Sequence, residues 1–311
     1  MALPKRTRGL PSIARGREER GFGRGRWTTE VGIAAIVVLV GGTIAYRTVS
    51  NHDLNSRKDA LFAKRRAVEL SVGAEWNPLR DRIERRILEG ASTYQGDLVD
   101  RRASDWPFRR APGFYVRLRV ADATDPERIR IAAAESKRDG FVGCLLTHDN
   151  PAAARGDLDA GAFPEQPWNL GQAYDALRVL TPAWATDVGV AADSMRLRVF
   201  EQQYDKAVRS EFPLAISMTK SVRVLVIALD EDVPEAGEHP TVKSLGLLVH
   251  PTRVLLVDLA TDTVMVRLRR TATASVVVAS GRSVEDPETR DAMTRQVRNC
   301  NLARQVLAEL Q

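Results

Sequence analysis

VRVLVIALD, residues 222–230, is the stretch on which the fold turns. It is apolar, β-branched and closed by acidic residues, and it reads as the strongest strand of the chain. The run Asp230-Glu231-Asp232 that ends it is read as a solvated face. Downstream, after the acidic loop EDVPEAGEHP (231–240), three more strands are expected: KSLGLLVHP (243–251), RVLLVDLA (253–260) and VMVRLRRTA (264–272). The last two are joined by a tight turn at Thr261-Asp262. SVVVAS (275–280) adds a fourth, and Asp286-Pro287 opens a helix reaching about Leu310, with Met293, Val297, Cys300, Val306/Leu307 and Leu310 inward.

Upstream, FYVRLRV (114–120) alternates as a half-buried strand. Asp125-Pro126-Glu127 starts a helix that stops at Asp139-Gly140, with Thr124 and Glu127 spaced as a capping box. FVGCLLT (141–147), a continuous apolar run, is read as a central strand, which completes a βαβ-like unit. A polar loop over 148–168 leads to helices at about 169–180, 182–190 and 193–211. Ahead of all this, 48–72 is a charged helix that docks on its own domain, broken by Gly73 and Asn77-Pro78. A second helix follows over 79–89 with Leu79, Ile83 and Ile87 on one face. The expected class is α+β: a mixed sheet with one βαβ-like unit, a helical insertion, an antiparallel meander and a C-terminal helix, preceded by a single N-terminal transmembrane helix.

The membrane expectation comes from charge and hydropathy. Of 311 residues, 46 are Lys or Arg and 40 are Asp or Glu, a net charge of +6. Residues 1–26 alone carry that excess, through Lys5, Arg6, Arg8, Arg15, Arg17, Arg20, Arg24 and Arg26 against Glu18 and Glu19. The remainder is neutral and lacks the broad positive field that nucleic-acid binding needs, so no nucleic acid is expected for the folded domain. Val31–Tyr46 (VGIAAIVVLVGGTIAY) is uncharged and, as a helix, spans about 24 Å. With Trp27 and Tyr46 at its interfaces it suits a bilayer.

The expected organisation is a basic, disordered cytoplasmic tail (1–26), a membrane helix (27–47), juxtamembrane helices and packing material (48–113) and an extracytoplasmic domain (114–311). In a cell with two membranes that domain is periplasmic. A signal peptide cleaved after Thr43-Ile44-Ala45 is the competing reading; the long leader and Tyr46 favour an uncleaved anchor. An oxidising compartment makes a Cys144–Cys300 disulfide one of two readings, the other being two buried free thiols.

Chemistry is sparse. His52, His148, His239 and His250 show no metal-ligand spacing, and no cofactor is expected. Ser217-Met218-Thr219-Lys220 matches the S-x-x-K pattern of serine penicillin-binding enzymes, but it follows Phe212-Pro213 and runs into a strand, without the helix that would bring lysine to serine. His148-Asp149 sits where a strand is expected to end, as a general-base candidate or an Asx turn into Pro151. Asp157 and Asp159 have the alternation of a calcium loop without its closing glutamate. The leading expectation is a non-enzymatic envelope protein, contacting the bilayer, whose domain binds or scaffolds a protein partner. The alternative is an exported hydrolase using His148 and Asp149, with Ser217.

Overall fold

The structure, a computed structural model, describes residues 51–146, 167–237, 240–274 and 286–311. The leader, the apolar block, His148, Asp149, Asp157, Asp159, His239 and the strand expected at 275–280 lie outside them. Contacts divide the chain into residues 1–56 and 57–311. Of the first unit only 51–56 are described, and they are helical. Among the described residues no helix is long and apolar enough to cross a membrane.

The second unit is a mixed α+β fold around a six-stranded sheet. Its strands are β1 (Leu98–Val99), β2 (Gly113–Arg119), β3 (Trp168–Asn169), β4 (Val224–Asp230), β5 (Pro251–Asp258) and β6 (Thr263–Thr271), in the order β1-β6-β5-β4-β2-β3. β4 is central and buried at every position, as its unbroken apolar sequence requires. It pairs parallel with β2, matching Val116 to Ile227 and Arg117 to Ala228, and antiparallel with β5, matching Asp230 to Thr252. β5 turns into β6 through Thr261-Asp262, where Asp262 has a positive φ of 53°.

The helices are α1 (57–68), α2 (Ala74–Ala91), α3 (Pro126–Glu135), α4 (Gly140–Leu146), α5 (Leu170–Ala176), α6 (Pro182–Gly189), α7 (Ser194–Lys206), α8 (Phe212–Ser221), α9 (Val242–Leu245) and α10 (Pro287–Ala308). One sheet face carries Tyr115, Val226, Ala228, Val254 and Leu256 and is covered by α4 and α10 through Phe141, Val142, Leu145, Leu302 and Val306. The opposite face meets α2, whose Ile83 and Ile87 are fully buried as the 79–89 pattern predicts. Asp125 caps α3 by accepting from the Glu127 and Arg128 amides, with Pro126 at the first helical position.

Four expectations are corrected. FVGCLLT is helix α4, not a strand, so the sequence βαβ unit dissolves. The parallel partners of β2 are instead β3 and β4. KSLGLLVHP is not a strand: Thr241 and Ser244 form a capping box for the short helix α9, and the Gly246 and Leu248 carbonyls accept from Arg298 Nη1 at 2.7 Å rather than from a neighbouring strand. Gly73 and Pro78 do not break the chain. A π turn over Glu69–Gly73 leads into α2, which runs through Pro78; this turn ends just before Ala74, whose carbonyl Pro78 has no N–H to satisfy. Finally, Ser217–Lys220 does lie in a helix, α8.

α3 and α5 approach closely because residue 171 is glycine. A Cβ there would run into the Ala133 carbonyl oxygen, which is helix backbone and cannot rotate aside. Gly171→Ala is expected to destabilise the protein by about 1–3 kcal/mol, seen as a lower urea midpoint with an unchanged slope. An unshifted midpoint would mean that the two helices stand further apart.

Candidate functional site

From β2 the chain leaves toward β3 at the sheet edge; from β4 it leaves toward β5 on the other side. The two strands are adjacent and parallel, so their carboxyl ends flank the point where the connections diverge. Open sheets with parallel strands place ligand crevices at such points. Here the crevice is a cleft of about 440 Å³ walled by the end of α3, the start of α4, α9 and α10.

The strand period of two builds its floor. Arg117 on β2, Asp230 on β4 and Thr252 on β5 project from the same sheet face. Ala228, directly across from Arg117, lacks the bulk to block it, and the guanidinium reaches Asp230 two residues further along. Nε and Nη2 of Arg117 donate to the two Asp230 oxygens at 2.8 and 2.9 Å. Its Nη1 donates to Asp139 at 2.7 Å and Asn299 at 2.8 Å. Asp230 also accepts from Thr252 Oγ1 at 2.9 Å and lies 2.9 Å from His250 Nε2. His250 Nδ1 stands 2.9 Å from the Leu248 carbonyl.

Arg117 is 4% exposed and Asp230 fully buried. Burial pushes the Asp230 carboxyl up, but the Arg117 charge and the His250 and Arg117 hydrogen bonds outweigh it and hold the group well below its ordinary range. Burial likewise opposes the charge on Arg117, and Asp230 and Asp139 reverse that. Tyr115, donating to Asp139 at 3.0 Å, is driven well above its usual value by burial and then by that carboxylate. Asp230 is thus a fully buried carboxylate held in its ionised form by its partners.

The sequence reading of Asp230-Glu231-Asp232 as a solvated face is corrected. Glu231 pairs with Arg253 at 2.7 Å and Arg269 at 2.6 Å, and Asp232 with Arg119 at 2.9 Å. The signal available in the sequence was an arginine inside each neighbouring strand, at 117, 119, 253 and 269.

Cys144 on α4 and Cys300 on α10 form a disulfide with their Cα atoms 5.2 Å apart. It ties together the helices that wall the cleft, with Cys144 one turn from Gly140 and Cys300 next to Asn299. Ser217 lies elsewhere, exposed on α8. Lys220 is exposed too and pairs with Glu75 at 3.3 Å, so it is a solvated cation rather than a base beside a nucleophile. Neither residue lines the cleft. His148, Asp149, Asp157 and Asp159 are outside the described residues. Among the described residues no group of three His, Cys, Asp or Glu could hold a metal.

What the cleft offers is charge. Lys137, Lys243 and Arg295 line it, and no carboxylate among the described residues pairs with any of them. No protein-family model, curated protein or solved structure matches the chain.

Proposed function

We propose that the protein is a single-pass membrane-anchored binding protein whose α+β domain faces an oxidising compartment and recognises its partner at the cleft. The observation that carries this reading is the Cys144–Cys300 bond, because structural disulfides persist outside reducing compartments. The basic leader followed by the apolar Val31–Tyr46 block supports the same address, by keeping the positive flank on the cytoplasmic side. The hydrolase reading has less support: Ser217 and Lys220 sit on an open helix face, away from the buried charge network.

A reporter enzyme active only outside the cytoplasm, fused after Gln311, is expected to be active, with Cys144 and Cys300 refusing alkylation until reductant is added. Activity of a cytoplasm-only reporter at that position, or free thiols in the native protein, would overturn the proposal.

A further inference from the structure

The cleft has more positive charge than its own network uses. Lys137 and Lys243 are exposed at its rim. Arg295 lies across Gly246, where an added Cβ would come within 3.1 Å of its Cδ, and this packing fixes the base of its side chain against α9. Of the two lining carboxylates, Asp139 is occupied by Arg117, Tyr115, Asn299 and the amides of Phe141 and Val142. Glu135 is the other lining carboxylate, against these three cations. Beneath them, the bonds made by Arg117 use four of its five N–H groups, leaving one on Nη2. A concave site of this size with point charges at the mouth and a rigid guanidinium at the base suits a small, multiply charged oxyanion. It is too small for a polymer.

We propose that the cleft between α3–α4 and α9–α10 binds a compact anion bearing phosphate or carboxylate groups, held by Lys137, Lys243 and Arg295 over Arg117. The inference rests on reading the cleft as the recognition site. It does not depend on the membrane address, which the reporter fusion tests separately: a chain facing the cytoplasm would still bind the anion, and an exported chain that binds none would keep its address.

The test is thermal unfolding of the full-length protein titrated with inorganic pyrophosphate and, separately, with citrate, against sodium chloride at matched ionic strength. A saturable rise in melting temperature beyond the chloride control is expected from at least one probe, and which probe acts tells phosphate from carboxylate chemistry. Lys137→Gln with Lys243→Gln removes two exposed side chains that have no hydrogen-bond or ion-pair partner among the described residues, and should weaken half-saturation by about ten-fold or more. Lys220→Gln, outside the cleft, should leave it unchanged. A rise no larger than that of chloride for both probes, or one that the double variant keeps in full, overturns the proposal. The second of these results would place the anion outside the cleft.

Discussion

Arg117→Met is expected to cost about 3–5 kcal/mol of folding stability. The guanidinium pairs with both oxygens of Asp230, which has no exposed surface. Removing it leaves a carboxylate in the sheet interior with Thr252 and His250 as its side-chain partners among the described residues. Desolvation then goes unanswered. The acid limb of the stability curve makes the effect specific. In the native protein the Asp230 carboxyl is depressed below its unfolded value of 3.8. Its stabilising contribution is therefore complete above that value and fades only as pH falls through the folded one. In Arg117→Met, burial pushes the carboxyl upward, so acid unfolding should begin at higher pH than in the native protein. Replacing Asp230 by leucine in the same chain should recover much of the loss, because a buried pair swapped for apolar groups is often neutral. Urea unfolding across pH 3–7 reads all three chains; an Arg117→Met protein as stable as the native one would show that the pair contributes little.

Cys144→Ala with Cys300→Ala is the second large effect. The bond joins positions 156 residues apart, so the unfolded chain loses a great deal of freedom when it is closed. Chain-entropy arguments put the loss on cutting it at up to about 5 kcal/mol, or roughly 10 °C in melting temperature. Reductant should lower the native protein's melting temperature toward that of the double variant and leave the variant itself unmoved. A bond that only decorates well-packed helices would show no reductant effect.

How far these features could be read from the sequence depends on whether a segment shows polarity on one side. β2, β4, β5 and β6 were legible within a residue or two, because their alternating or unbroken apolar runs are bounded by turns. α10 and α2 announced themselves by apolar residues at helical spacing. α4 did not. Phe141, Val142 and Leu145 bury against the sheet and Cys144 bonds to α10, so seven residues show no polar face and strand or helix fit equally. The signal lay one residue earlier: Asp139, read as a helix stop, accepts from the Phe141 and Val142 amides and begins the next helix. The segment 243–251 misled for a different reason. Its carbonyls are satisfied by Arg298, a side chain 50 residues away, which no local pattern reveals.

The site was less legible than the fold. Arg117 looked like the solvent side of an alternating strand, and Asp230 like its frayed end. Only the pairing of β2 with β4 makes them neighbours. The two cysteines were the exception, since compartment and count suggested the bond that the α4–α10 packing makes possible.

The same parallel pairing has a bearing on how the protein acquires its shape. Val116 and Ile227 lie side by side with 110 residues of chain between them, whereas β5 follows β4 after 20 residues and β6 follows β5 after four. Closing a long loop is entropically dearer than closing a short one, and non-local strand pairing slows folding. The β4–β5–β6 meander can therefore pair on its own, while β2, earlier in the chain, has to wait for a docking edge that lies far downstream. During that interval its apolar residues stay unpaired and prone to association.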